Sequence, residues 1–244
     1  MAENRYLFKP WEKQEHDACG ILAYVRRDGV PTHATVTQTL AYLTQLQHRA
    51  GFVEEEGDGC GMMLDLPREL WGEHLAANGV DPSLADSPGF AVGHFFIPKT
   101  EPSQVDLWQD KVRQVVNSKG FRILAERTGA VDTDILGPRA CADEPSFWQM
   151  AVVYDPEEER STWGSSSARA IPQTDLATIK KLLYDLQIEI EAITPLHVVS
   201  LSSESVVYKV RGTAATLGRY FHDLANPLCK STFAIGHNRY STNT

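Results

Sequence analysis

The stretch His16-Asp17-Ala18-Cys19-Gly20 leads directly into the apolar run Ile21-Leu22-Ala23-Tyr24-Val25. This pattern predicts a β-strand that starts at the cysteine, with a small residue before it and a glycine after it. Cleavage between Ala18 and Cys19 would give one residue both a thiol and a free α-amine. An α-amine titrates near pH ~7.7 and a thiol near ~8.5, so the amine can accept the proton of an adjacent nucleophile at neutral pH. The alternative is a small buried cysteine that only fills space.

The composition excludes several classes of protein. The 244 residues carry a formal net charge of −9, which argues against a nucleic-acid or anionic-membrane surface. No apolar run approaches the ~20 residues that span a bilayer. The polar N-terminal residues 1–17 have no secretory signal pattern. Four cysteines lie far apart without C-x-x-C spacing, so we expect a cytoplasmic protein with no disulfide framework and no metal site.

Apolar periodicity and turn residues predict alternating runs of strands and helices in a single domain. Antiparallel sheets covered by helices are typical of such an order of elements. The last two predicted strands are joined by a serine-rich turn, as in a hairpin, and residues 131–145 are predicted as a loop. The predicted strands are 21–25, 62–64, 89–97, 121–124, 147–154, 196–201 and 205–210, and the predicted helices are 33–48, 67–79, 100–120, 174–190 and 214–224.

The glycine-rich segment Gly57-Asp58-Gly59-Cys60-Gly61 indicates backbone with a positive φ or a close approach to another segment. No lysine follows it and no helix opens directly after it, so a phosphate-binding loop is weakly supported. A strained turn beside an active site and an ordinary β-turn are equally compatible with this segment.

The segment His237-Asn238-Arg239-Tyr240-Ser241-Thr242-Asn243-Thr244 gathers polar residues at the end of a predicted strand. Arg239 offers a planar guanidinium suited to a carboxylate, and Thr242 and Asn243 add hydrogen-bonding groups. From these residues alone, a surface strand with an ordinary arginine is the favoured interpretation.

Four segments in fixed order change that interpretation. Taken together, they resemble the class II glutamine amidotransferases, in the form of the amidotransferase domain of glutamate synthases. The segment 200–209 also resembles that family's approach to its Arg-x-Ser-Thr motif. One departure is local, because His48-Arg49-Ala50-Gly51 stands where the family usually has His-Arg-Gly. The four segments are Asp17-Ala18-Cys19-Gly20, His48-Arg49, residues 57–61 and residues 237–244.

The resemblance implies an α+β fold of the N-terminal-nucleophile hydrolase type. This is a four-layer αββα sandwich of two mostly antiparallel sheets, in which we expect the Cys19 strand to be central. It also implies that residues 1–18 are a propeptide, removed after Ala18, and that residues 19–244 are the N-terminal part of the amidotransferase domain.

The resemblance further implies a role for each site residue. Cys19 would attack the side-chain amide of L-glutamine and form a thioester, with its own α-amine as the base. Arg239 would hold the substrate carboxylate. The released ammonia would serve glutamate synthesis from 2-oxoglutarate on a synthase domain that carries FMN and an iron–sulfur cluster, with no cofactor in this chain. The substrate pocket would be completed by Thr242, Tyr240 and Asn243, and the active site supported by Gly20, Arg49 and Asp58.

A second departure from the family pattern concerns the residues that stabilise the tetrahedral oxyanion of the reaction. The family has an Asn-Gly pair shortly after the Arg-x-Ser-Thr motif, whereas Asn78-Gly79 in this sequence is predicted to be a helix end. Losing one oxyanion donor typically costs ~10²–10³ in kcat. We therefore expect a C-terminally incomplete domain that is inactive alone. The alternatives are a separately encoded amidotransferase subunit of another synthase and a catalytically silent amidotransferase-like module that binds or regulates.

Overall fold

The computed structural model describes residues 20–53, 56–155 and 175–238, except for the side chains of Arg49 and Val53. The strands are β1 (Ile21–Val25), β2 (Phe52–Val53), β3 (Glu56–Gly57), β4 (Cys60–Asp65), β5 (Phe90–Ile97), β6 (Phe121–Thr128), β7 (Ser146–Tyr154), β8 (His197–Ser202), β9 (Ser205–Val210) and β10 (Phe233–His237). The helices are α1 (His33–Gln45), α2 (Arg68–Ala77), α3 (Pro102–Ser118), α4 (Pro138–Ala142), α5 (Leu176–Ile193), α6 (Ala214–Tyr220) and α7 (His222–Ala225).

The first sheet, sheet 1, has the strand order β1-β10-β4-β9, and all its pairs are antiparallel. Ile21 pairs with His237, His237 with Gly61, and Gly61 with Lys209. The starts of β1 and β4 therefore lie beside the ends of β10 and β9, at the same end of the sheet. We call this end the motif end, and it is marked by Gly20, Asp58, Cys60 and Asn238.

The second sheet, sheet 2, has the order β6-β7-β5-β8 and is also antiparallel. Alternate residues of its strands face opposite sides, so the sheet takes part in two apolar cores. One core joins sheet 2 to sheet 1 and includes Met62, Leu64, Tyr208, Phe90, Val92 and Phe147. The other lies under α3 and α5 and includes Val112, Val116, Trp148, Ile179 and Leu183. The predicted α+β class, two antiparallel sheets with helices packed against them, is confirmed.

β1 is the outermost described strand of sheet 1, whereas the sequence predicts it at the centre. Leu22 and Tyr24 are half-buried, and the Tyr24 ring lies 6.2 Å from that of Tyr42 on α1. Ile21 and Val25 are 71% and 66% exposed. The central placement is therefore wrong for the described sheet, because in this apolar run only alternate residues face the core.

The predicted hairpin at 196–210 is also wrong. β8 pairs with β5 in sheet 2, while β9 pairs with β4 in sheet 1, so the turn between them carries the chain from one sheet to the other. The Ser202 hydroxyl accepts hydrogen bonds from the backbone N–H groups of Glu204 and Ser205 at 3.1 and 3.2 Å. Local alternation cannot distinguish the two arrangements, because a hairpin and a crossing between sheets both need one apolar face on each strand.

The segment 131–145, predicted as a loop, contains a 3₁₀ turn at Thr133–Ile135 and the short helix α4. Pro138 occupies the first helical position, where its missing N–H costs nothing. The Glu56 carboxylate accepts hydrogen bonds from the backbone N–H groups of Arg139 and Ala140 at 3.0 and 3.1 Å. A negative charge at a helix N-terminus is stabilising, so this helix depends on a residue about 80 positions away that local patterns do not reveal.

None of the helices in the described ranges has the length and apolar character needed to cross a bilayer. Within those same ranges, no three His, Cys, Asp or Glu residues come together in a group that could hold a metal ion.

Candidate active site

Only part of the predicted site falls within the described residues. Gly20 and Asp58 are described in full, and Arg49 through its backbone. Six predicted site residues lie outside the described ranges: Ala18, Cys19, Arg239, Tyr240, Thr242 and Asn243. The geometry of the site is therefore that of the residues flanking them.

The first described residue after Cys19 is hydrogen bonded to the last one before Arg239. The backbone N–H of Asn238 donates to the carbonyl of Gly20 at 2.9 Å, and both residues are buried. This bond extends the β1–β10 ladder by one residue beyond the pair Ile21–His237. The structure thus brings the chain neighbours of the predicted nucleophile and of the predicted carboxylate-binding arginine side by side.

The His48–Gly51 segment packs against the glycine-rich loop. The Asp58 N–H donates to the Gly51 carbonyl at 2.9 Å. A Cβ at Gly51 would lie 2.1 Å from Asp58 Oδ2, so the position accepts glycine alone without movement. Arg49 ends a 3₁₀ turn (Leu46–Arg49) two residues earlier. The glycine needed at this contact is therefore Gly51, one residue later than the family's His-Arg-Gly pattern places it.

The glycines of the loop serve close approach. A Cβ at Gly61 would lie 2.6 Å from His237 Nε2 on β10, and one at Gly57 would lie 2.6 Å from the backbone of Gly212. In the described backbone, φ is positive at five other glycines and not at Gly57, Gly59 or Gly61. Of the two explanations that the sequence leaves open, close approach is confirmed at Gly57 and Gly61, and neither has a positive φ.

Asn238 connects three of these segments, and the sequence pattern did not single it out. Its side chain is 2% exposed. Nδ2 donates to the carbonyl of Leu43 near the end of α1 at 2.6 Å, and Oδ1 accepts from the Cys60 thiol at 3.5 Å. Burial raises the pKa of that thiol to about 12, so Cys60 is a neutral donor. The sequence feature that could have identified Asn238 is its position, directly after an apolar strand and before Arg239.

A cavity of about 400 Å³ opens beside β9 at the motif end. This volume lies within the usual range of small-molecule sites. Strands are ~4.8 Å apart, so β9 lies about 14 Å from β1 and the cavity does not adjoin Gly20. Arg211 pairs with Asp143 at 2.7 Å, and the Tyr220 hydroxyl donates to Glu144 at 2.7 Å. The lining includes Asp58, Phe96, Glu144, Lys209, Arg211 and Tyr220.

The pair Asn78–Gly79 lies elsewhere in the fold. Asn78 caps α2, and Gly79 follows it with φ of +72°. α2 begins three residues after the end of β4, at the opposite end of that strand from the motif end. The prediction that this pair is a helix end is confirmed.

A second polar cluster lies in the core between the sheets and was not predicted from the sequence. We call it the core network: His94, Arg127, Gln149, Tyr208 and Asp223. The Asp223 carboxylate, 2% exposed, accepts hydrogen bonds from Arg127 Nη2, from Gln149 Nε2 at 3.0 Å and from the Tyr208 hydroxyl at 2.8 Å. Burial opposes ionisation of Asp223, but Arg127 and the hydrogen bonds keep its pKa below the ordinary value.

His94 belongs to the same network as a neutral imidazole. Its Nε2 accepts from Gln149 Nε2 at 2.9 Å, and its Nδ1 donates to the Val207 carbonyl at 3.0 Å. Burial lowers the pKa of His94 to about 4. Arg127 also lies over the indole of Trp71, 4.8 Å from the ring centre. These contacts join β5, β6, β7 and β9 to α2 and α7, so the network ties the core together.

The chain matches the model of the class-II glutamine amidotransferases over residues 19–244. It is 32% identical over 241 residues to ferredoxin-dependent glutamate synthase 2 of Synechocystis sp., covering 98% of this chain and 14% of that protein. Over 248 residues it is 30% identical to glutamate synthase [NADH] of Saccharomyces cerevisiae, covering 100% of this chain and 11% of that protein. The large chain of glutamate synthase [NADPH] of Azospirillum brasilense is 29% identical over 95% of this chain and 15% of its own length.

The chain thus spans 11–15% of the length of these relatives. The match to the family model begins at Cys19, within the first of the four segments that bear the family's motifs, and covers the other three. The chain belongs to the class-II glutamine amidotransferases, as the resemblance of its motifs predicts.

Proposed function

We propose that this chain is the glutamine-hydrolysing part of a glutamate synthase, with Cys19 as an N-terminal nucleophile. The observation that carries the proposal is the meeting of the motif segments at one end of sheet 1, where Asn238 N–H bonds the Gly20 carbonyl at 2.9 Å. One peptide unit separates Gly20 from Cys19 and Asn238 from Arg239, or about 3.8 Å between Cα atoms. The start of the family match at Cys19 supports residues 1–18 as a removed propeptide and 19–244 as the amidotransferase part.

In the proposed reaction the Cys19 thiol attacks the side-chain amide carbon of glutamine while the α-amine of Cys19 takes the thiol proton. The amine returns that proton to the amide nitrogen, which leaves as ammonia, and a γ-glutamyl thioester remains. Water, deprotonated by the same amine, then releases glutamate and restores the thiol. An amine with an ordinary pKa near ~7.7 is suited to both transfers at neutral pH.

In this proposal Arg239 makes a bidentate contact to the substrate α-carboxylate, and Thr242, Tyr240 and Asn243 shape that end of the pocket. Gly20, Arg49 and Asp58 support the site. The contact of Asp58 with Gly51 supports this assignment, because it places the Arg49 segment against the glycine-rich loop.

The ammonia is proposed to pass to a synthase domain that converts 2-oxoglutarate to glutamate. FMN and an iron–sulfur cluster would supply the redox chemistry there. Within the described ranges, Cys60, Cys141 and Cys229 do not join any group of three or more side chains that could hold a metal. Both cofactors therefore belong, in this proposal, to a part outside this chain. The relatives' names include ferredoxin, NADH and NADPH, so they leave the electron donor open.

The test is a Cys19→Ala variant in the complete protein as its host produces it. Glutamine-dependent ammonia release should fall by roughly 10⁴–10⁶-fold, as for other lost nucleophiles. Glutamate synthesis from added ammonium chloride should persist, since it bypasses the amidotransferase. Cys141→Ala, an exposed cysteine on α4, serves as the matched control and should hydrolyse glutamine normally. A wild-type protein that releases no ammonia from glutamine would instead support the silent binding module.

A further inference from the structure

The side chain and backbone of Asn238 together bond to three different segments of the motif end. The backbone N–H binds Gly20, Nδ2 binds the Leu43 carbonyl, and Oδ1 receives the Cys60 thiol. Gly20 follows Cys19, Leu43 precedes the His48–Gly51 segment, and Cys60 lies in the glycine-rich loop. Asn238 itself belongs to the fourth segment, residues 237–244, and Arg239 follows it. Asn238 therefore bonds directly to the first and third segments, and to α1, which leads into the second.

The contacts demand an amide at this position. The nitrogen of Asn238 faces a carbonyl oxygen and its oxygen faces a thiol, so a side chain with one donor and one acceptor is required. The residue is 2% exposed, so bulk solvent does not reach these partners in the wild-type protein. A shorter side chain would leave the Leu43 carbonyl and the Cys60 thiol without this partner and free the end of β10 to move.

We infer that Asn238 is a positioning residue that sets the distance between the Cys19 nucleophile and the Arg239 carboxylate clamp. The inference rests on the proposed function. Arg239 is one peptide unit from Asn238, and Cys19 is one peptide unit from Gly20. A shift of β10 relative to β1 would therefore change the distance between Arg239 and Cys19. A misplacement of about 1 Å can cost roughly 10²-fold in rate.

The experiment compares Asn238→Ala and Asn238→Asp with wild type in the complete protein. In Asn238→Ala, kcat/KM for glutamine should fall roughly 10²-fold. Alkylation of Cys19 by iodoacetamide, which has no carboxylate to bind Arg239, should stay within about threefold of wild type. Asn117→Ala on exposed α3 surface is the matched chemical control. Val112→Ala, in the core under α3, controls for lost stability, and both controls should keep wild-type kinetics.

Asn238→Asp adds a readout that a purely structural role would not move. A neutral carboxylic acid can donate to the Leu43 carbonyl and accept from the Cys60 thiol, as the amide does. Burial raises the pKa of such a carboxyl group. Among the described residues, the titratable groups beside position 238 are the Cys60 thiol on β4 and His237 on β10, and α1 and β1 present the carbonyls of Leu43 and Gly20. Arg239 is the next residue in the chain. The ratio of variant to wild-type kcat/KM should therefore rise at least about tenfold from pH 8 to pH 5.5.

Each outcome bears on the inference separately from the proposed function. The inference is supported if Asn238→Ala lowers kcat/KM for glutamine without slowing the alkylation of Cys19, and if kcat/KM of Asn238→Asp recovers at low pH. Equal slowing with glutamine and iodoacetamide, or wild-type kinetics in Asn238→Ala, overturns it while glutamine hydrolysis by wild type stands. Absence of hydrolysis in wild type overturns the proposed function and this inference with it.

Discussion

The motif end of sheet 1 and the core network are both built from polar residues, but they differ in what their contacts do. At the motif end, most contacts are backbone hydrogen bonds and glycine close approaches, such as Gly51 against Asp58. In the core network, charged and polar side chains bond to one another around Asp223. The first arrangement sets the position of chain segments that flank reactive groups. The second holds two sheets together.

The core network is not fully hydrogen bonded. The core network leaves Arg127 Nε and Gln149 Oε1 without a hydrogen-bond partner among the described residues. Buried unsatisfied atoms and a buried ion pair make such a network weak evidence for net stability, yet removal of one charge leaves the other uncompensated. Mutations should therefore separate the regions: those in the core network should change unfolding, and those at the motif end should change catalysis.

The largest effect is expected from Asp223→Ala. It removes the acceptor of three hydrogen bonds and leaves Arg127 without its carboxylate, so the free energy of unfolding should fall by about 3–5 kcal/mol. Urea denaturation measures this. Asp143→Ala is the matched control, since its pair with Arg211 is exposed on both sides and should contribute less than about 1 kcal/mol. Loss of glutamine hydrolysis in folded Asp223→Ala protein would contradict the separation of the two regions.

The next effect is a pH dependence of stability from His94. Burial holds its pKa at about 4 in the folded protein, against about 6.5 in an unfolded chain. The unfolded chain therefore takes up the proton first as the pH falls. The free energy of unfolding should decrease by roughly 3 kcal/mol from above pH ~6.5 to pH ~4.

A His94→Gln variant should flatten this part of the stability profile, measured by urea denaturation at a series of pH values. His48→Gln, at an exposed position, should leave the slope unchanged. An identical slope in wild type and His94→Gln would mean that His94 is not the group that titrates.

The smallest effect on stability, but a clear one on catalysis, is expected from Gly51→Ala. The added Cβ would meet Asp58 Oδ2 at 2.1 Å, so the Asp58 carboxylate or the His48–Gly51 segment must move. We expect kcat/KM for glutamine to fall by up to about 10²-fold. In Gly72→Ala, the new Cβ on α2 would meet its nearest neighbours at 3.5–3.9 Å, and activity should be unchanged. Equal activity of both variants would remove the Arg49 segment from the proposed site.

Local patterns in the sequence predicted the elements that surround the motif end. Apolar periodicity predicts the strands β1, β4, β5 and β7 and the helices α2 and α3. Pro67 and Gly79 mark the start and the end of α2. The motifs were recognised by their order along the chain. Their meeting at one end of sheet 1 follows from strand pairing, which depends on residues more than 150 positions apart, such as Ile21 and His237.

The features that the sequence did not reveal all depend on distant partners. Arg127, Gln149 and Tyr208 stand in strands at alternating positions, where polar residues usually face solvent. Gln149 and Tyr208 are buried and Arg127 is half-buried, because Asp223, on a helix far along the chain, accepts a hydrogen bond from each of them. Asn238 was missed for the same reason, since its partners Leu43 and Cys60 lie 195 and 178 positions away.

The central claim is that Cys19 is the N-terminal nucleophile of a glutamine site. The most direct measurement is mass spectrometry of the protein from its native host after reaction with 6-diazo-5-oxo-L-norleucine, a glutamine-like electrophile. We expect a mature chain that begins at Cys19 and carries one adduct on that residue, with excess glutamine slowing the reaction. An active protein that keeps residues 1–18, or an adduct on any other residue, would contradict it.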